Sequence, residues 1–126
     1  MWDFIRDDVM DDLREIKQQI VDTKTLYITG ISMGGGLAVI SFIDINVAKI
    51  FDNIHVVTFG APRVGNNQWA AHFDEITNKG MYRYIIKGDP IVVLPRCLTL
   101  LCTYEQTGIQ RVCHVDGKTC SICIET

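Results

Sequence analysis

The run Leu26-Tyr27-Ile28-Thr29-Gly30-Ile31-Ser32-Met33-Gly34-Gly35-Gly36 constrains this chain more than any other. It carries an apolar, β-rich segment into a serine spaced G-x-S-x-G, and then reads on as a buried helix through Leu37-Ala38-Val39-Ile40-Ser41-Phe42. A strand that passes into a helix over so few residues must reverse sharply. Small residues two before and two after the serine let it do so without side-chain collision. The expected result is a strained turn that lifts the Ser32 hydroxyl out of the sheet as a nucleophile. It also sets the Met33 amide, in the first helical turn, to donate to the oxyanion of a tetrahedral intermediate. A glycine-rich strand-to-helix turn that holds phosphate, or nothing, is the competing reading of the same spacing.

The surrounding chain is consistent with an α/β layout. Ile5, Val9, Leu13, Ile16 and Ile20 recur at helical spacing against Asp7, Asp8, Asp11, Asp12, Arg14, Lys17 and Gln18, which predicts an amphipathic helix whose acidic half suits the macrodipole. The aspartates read as a solvated face, not as a metal site. Thr25 to Thr29 form a central strand, Asn46 to Asn53 a connection of mixed character, and Ile54 to Phe59 a second strand, parallel to the first. Gly60-Ala61-Pro62-Arg63-Val64-Gly65-Asn66 then turns the chain into a helix that buries Trp69, Phe73 and Ile76. A third strand, Met81 to Lys87, delivers Gly88-Asp89-Pro90 to the carboxyl rim of the sheet, where Ser32 also lies. An Asp-Pro turn initiator is the plainer reading of Asp89. Leu98 to Tyr104 and Ile109 to Val115, around Glu105-Gln106-Thr107-Gly108, are expected to pair as a β-hairpin.

Size and charge narrow the function. At 126 residues the chain is one domain, 1–126, and short for a complete sheet of this kind, which suggests a partial chain. A net charge of −3 disfavours nucleic acid and anionic membranes as partners, and no apolar run is long enough to span a bilayer. The opening Met1-Trp2-Asp3-Phe4-Ile5-Arg6 lacks the basic start and apolar stretch of a signal peptide, and the compartment stays open. An unpaired strand edge is expected to promote self-association.

The five cysteines, Cys97, Cys102, Cys113, Cys120 and Cys123, crowd the last thirty residues. Cys120-x-x-Cys123 has the spacing of zinc ligands that Cys97, Cys102 or His114 could complete, but buried thiols or one disulfide account for them more simply. No metal or organic cofactor is expected.

Taken together, TLYITGISMGGGLA, VVTFGAPRVGN and MYRYIIKGDPIVVLP resemble the class 3 lipases, the fungal triacylglycerol lipase-like branch of the α/β-hydrolases, from about Phe4 to Pro95. The resemblance implies an α/β-hydrolase-type, mostly parallel sheet flanked by helices, incomplete here, with a C-terminal β-hairpin. It also implies hydrolysis of carboxylic esters of lipids through an acyl-enzyme, with Ser32 as nucleophile and Asp89 orienting a catalytic histidine. The family carries histidine and leucine beside the serine, where this chain has Ile31 and Met33. Its second oxyanion donor and lid precede the first helix, and its histidine lies well beyond the segment that follows the aspartate. His55 starts a strand read as buried and His72 lies on a helix flank; only His114 follows Asp89, which makes it the candidate base within the chain, with a surface histidine as its competing reading. A catalytically incomplete binding module, and a small-ester esterase or acyltransferase on the same turn, are the alternative functions.

Overall fold

Four parallel strands, rich in β-branched residues, line up side by side in the computed structural model, and their register sets everything else. The structure describes the chain apart from residues 21, 23, 78, 79, 97–102, 116–119 and 126, and describes the backbone alone at 115 and 120–125. The elements run α1 (Trp2–Gln19), β1 (Thr25–Ile31), α2 (Met33–Ala48), β2 (Asn53–Phe59), β3 (Gly65–Asn66), α3 (Asn67–Ile76), β4 (Met81–Ile86), a 3-10 turn (Ile91–Val93), β5 (Tyr104–Glu105), β6 (Ile109–Val115) and β7 (Cys120–Glu125). The main sheet has the order β1-β2-β4-β6-β7. β1, β2, β4 and β6 are parallel, and β7 returns antiparallel to β6. The sheet is thus mostly parallel, as the sequence predicts.

Period-two alternation divides the sheet into two unlike faces. Val56, Thr58, Met81 and Arg83 are buried, while their neighbours His55 and Phe59 are exposed and Tyr82 and Tyr84 half-buried. Of these, Val56 and Met81 meet Val39 and Phe42 of α2 and Phe73 of α3 in one core, with Ile28, Ile54, Val64, Trp69 and Ile76 packed around it. Phe42 and Phe73 meet edge to face, ring centroids 5.2 Å apart. Among the described residues the helices cover this one face. The other carries stacked or cation-bearing rings in the open: Tyr27 on His55, Phe59 on Tyr84, and the Arg111 guanidinium over Tyr82.

Four local readings need correction. In α1 the buried positions are Trp2 and Met10, while Ile5, Ile16 and Ile20 are exposed. The Trp2 indole donates to Asp44 Oδ2 at 2.7 Å, and Lys17 lies over the Phe51 ring, so the helix is rolled toward these anchors and away from the predicted isoleucine stripe. α2 continues to Ala48 and ends on Lys49 in a left-handed conformation, where a connection was expected from Asn46. After Gly36 no glycine or proline interrupts it before that cap. His55, read as opening a buried strand, is exposed beside Tyr27 because it falls on the uncovered face.

The last correction concerns the hairpin. Tyr104–Glu105 pairs with Gly65–Asn66 instead of with Ile109–Val115, which lies between β4 and β7. Gly108 docks its amide on Asp74 Oδ1 at 2.7 Å, and with φ +76 its Cα lies so close to Met81 that a methyl group would collide. Those long-range contacts hold the turn against α3 and β4, so it does not fold back on the preceding segment. Residues 98–102 of the expected hairpin lie outside the described residues. The chain does end in a β-hairpin, made by β6 and β7.

Candidate active site

The serine turn has the geometry its sequence requires. Ser32 adopts φ 51 and ψ −125, a conformation that costs a side-chain-bearing residue on the order of 1–3 kcal/mol and persists only where the surroundings enforce it. Here they do. The Ser32 amide donates to the Phe59 carbonyl at the end of β2 across 2.8 Å, and the Ser32 carbonyl accepts from the amides of Gly35 and Gly36. A Cβ on Gly30 would overlap the backbone of Gly34, and one on Gly35 would lie 2.7 Å from Ala61 Cβ. Gly34 itself has open space around the same position, so of the bracketing pair only the first glycine is sterically required.

Gly35 and Ala61 show why the two informative stretches belong together. Ala61, almost fully buried, packs against the helix start, and Gly36 leaves room for Val64 and Pro62. The loop after β2 is further tied down by Arg63, whose amide donates to the Leu94 carbonyl at 2.7 Å, and by Gln106 Nε2, which donates to Ala61 O at 3.4 Å and to Val92 O at 2.6 Å. The sequence alone pointed to a turn here and missed this interlock; the small-residue runs GGG and GA were the available signal.

Asp89 follows β4 through Gly88, which takes φ +90. Its amide donates to Ile86 O at 3.1 Å, and its Oδ1 accepts from the Ile91 amide at 2.9 Å, so the carboxylate is held by the first turn of the 3-10 segment. Ser32 and Asp89 line one cavity of about 650 Å³ at the carboxyl ends of the parallel strands, with Ile31, Phe59, Gly60, Tyr84, Ile86 and Ile91 among the walls. The two polar side chains predicted from sequence therefore share one apolar pocket. Ser32 is exposed to it and Asp89 is half-buried.

Other predicted groups are placed as follows. Met33 is the first residue of α2, where an amide has no acceptor within the helix, whereas the Ser32 amide is already engaged by Phe59. Met33 thus places an amide next to the serine at the start of the helix. None of the three histidines lines the cavity: His55 lies on Tyr27, His72 is exposed on α3, and His114 is half-buried on β6. His114 is the neighbour of Cys113, which does line the cavity, and strand alternation turns the two side chains to opposite faces. Cys113 is buried and disulfide-bonded. The side chains of the other four cysteines lie outside the described residues, and with them the proposed zinc set. Among the described residues no three His, Cys, Asp or Glu side chains converge on a point, and no helix is long and apolar enough to cross a membrane.

Comparison with known proteins agrees with this architecture. The family model described as lipase (class 3) matches residues 1–99. A secreted mono- and diacylglycerol lipase of Gibberella zeae is 30% identical over 103 residues, covering 75% of this chain and 25% of its own length. One from Malassezia globosa is 36% identical over 76 residues, covering 60% and 24%. The chain thus spans about a quarter of the length of the curated relatives it matches. Among solved structures, the mono- and diacylglycerol lipase of Aspergillus oryzae superposes with a TM-score of 0.82 at 24% identity, over 98% of this chain and 44% of that one. At that identity the likeness speaks for the fold, an α/β-hydrolase sheet matched in part. With the family model spanning most of its residues and a relative at 30% identity over three quarters of it, the chain belongs to the class 3 lipase family.

Proposed function

We propose that this chain carries the nucleophile and the acid partner of a serine hydrolase that cleaves carboxylic esters of lipids. The observation that supports this best is the convergence of Ser32 and Asp89 on one apolar cavity. In this reading the Ser32 hydroxyl attacks the ester carbonyl while an imidazole takes its proton. The Met33 amide donates to the resulting oxyanion, and the alcohol leaves after protonation by the same imidazole. The acyl-enzyme is then hydrolysed by water, with the imidazole again as base. Asp89 holds that imidazole in the right tautomer. The isoleucines and the Phe59–Tyr84 pair receive the acyl chain, which an apolar wall binds and a polar one would not. His114 is the candidate base within this chain, and it serves only if it reaches the cavity from the strand face behind Cys113.

Labelling by a fluorophosphonate probe tests the reading. Labelling that disappears in Ser32→Ala supports it, and a folded protein that does not label points instead to a module that binds lipid or protein in the same cavity. If His114→Ala labels like the parent, the base is a different histidine. Hydrolysis rates across p-nitrophenyl esters separate a lipase, which favours long chains, from a short-ester esterase.

Two further readings belong to the whole protein. The disulfide at Cys113 and the secreted relatives favour an oxidising, extracytoplasmic compartment. The outer edge of β1, which pairs only with β2 among the described residues and exposes Tyr27 and Ile31, favours pairing with a second copy. Sedimentation should then show a dimer that Tyr27→Lys weakens, and a monomer at all concentrations would rule the pairing out.

A further inference from the structure

Gly60 ends β2 with φ +59 and lies beside the acid of the site, not beside the serine. A methyl group built on it would lie 2.9 Å from Asp89 Oδ2, closer than a Cβ approaches any heavy atom, with nothing else within 4 Å. Its position is not adjustable, because its own amide donates to the Tyr84 carbonyl of β4 at 2.9 Å. The carboxylate is fixed from the other side, where Oδ1 accepts from the Ile91 amide at 2.9 Å and the Asp89 amide donates to the Ile86 carbonyl at 3.1 Å. Asp89 is therefore seated between one hydrogen-bond donor and one bare Cα. From these contacts we infer that Gly60 is a positioning residue for the Asp89 carboxylate. By lacking a side chain it lets Oδ2 rest against the end of β2 while Oδ1 keeps its bond to Ile91.

The inference rests on the proposed role of Asp89. With a side chain at position 60, the carboxylate must shift, and the shift strains its bond to Ile91 or re-aims the lone pairs that would accept from an imidazole. Phe59 and Gly60 thus act as a shared reference: the carbonyl of the first holds the Ser32 amide, and the Cα of the second abuts the Asp89 carboxylate. A glycine needed merely for its positive φ would also resist substitution. The two accounts differ in one respect, since backbone strain does not depend on the side chain at position 89 and the contact does.

A double-mutant cycle separates them. Gly60→Ala, Asp89→Ala and the double variant are compared for the rate of fluorophosphonate labelling at Ser32 and for the midpoint of chemical denaturation. Gly60→Ala is expected to slow labelling about tenfold or more when Asp89 is present and less than about twofold in the Asp89→Ala background, with a smaller midpoint shift in that background too. Equal factors and equal shifts in both backgrounds overturn the inference. If the parent does not label at all, the proposed function fails, and the denaturation cycle alone still decides whether the two residues are coupled. Should Gly60→Ala not fold, Gly60→Asn, which tolerates positive φ, carries the same cycle.

Discussion

The amide of Ser32 donates to the carbonyl of Phe59 across 2.8 Å, joining the end of β1 to the end of β2 at the residue where the backbone is most strained. That bond commits the serine's own amide to the fold and leaves the next amide, of Met33, at the unsatisfied start of α2. Strain, hydrogen bond and free donor are thus three aspects of one turn, and each can be tested by itself.

Because Ser32 holds φ 51 at a cost of order 1–3 kcal/mol, Ser32→Gly is expected to stabilise the protein by up to about 2 kcal/mol, net of the entropy a glycine loses on folding. Ser32→Ala keeps the strained backbone and should be close to neutral. Thermal or urea denaturation of the two variants reads the difference, and equal stability would show that the turn stores no strain.

The glycines around the serine are not equivalent. Gly30→Ala places a methyl group on the backbone of Gly34, and Gly35→Ala one on Ala61, so each should cost at least about 3 kcal/mol or prevent folding. Gly34→Ala meets open space in the first turn of a helix and should be neutral or gain up to about 1 kcal/mol from helix propensity. Urea midpoints for the three variants check this order.

Phe42 and Phe73 join α2 to α3 at the centre of the core, both essentially without solvent exposure. Truncating either to alanine should cost about 3–5 kcal/mol, and the double variant less than the sum because the rings share one contact. Denaturation midpoints again provide the measurement.

Arg83 is buried under the sheet, where desolvation holds its guanidinium below the usual arginine range against a partial compensation from Asp74. Its Nε donates to the Thr107 carbonyl at 3.3 Å and its second nitrogen to Gln110 Oε1 at 2.8 Å, an arrangement an ammonium cannot span. Arg83→Lys should therefore lose about 1–3 kcal/mol and loosen the turn before β6. Faster hydrogen exchange at Gly108 and Ile109 in that variant is the sign to look for.

The strand-to-helix serine, the parallel strands on either side of it and the aspartate after β4 were all readable from the chain, because their signals are local: a glycine spacing, β-branched runs, and a turn after a strand. Tertiary contacts decided what local pattern could not. Trp2 bonded to Asp44 rolled α1 off its isoleucine stripe, and Gly108 bonded to Asp74 sent 109–115 into the main sheet beside β4 instead of into a hairpin with 98–104. Partners 42 and 34 residues apart in the chain leave no trace in a periodic pattern. The sequence placed Ser32 and Asp89 on one rim of the sheet, while only the folded sheet, by aligning the carboxyl ends of β1, β2 and β4, closed the walls of one cavity around the hydroxyl and the carboxylate.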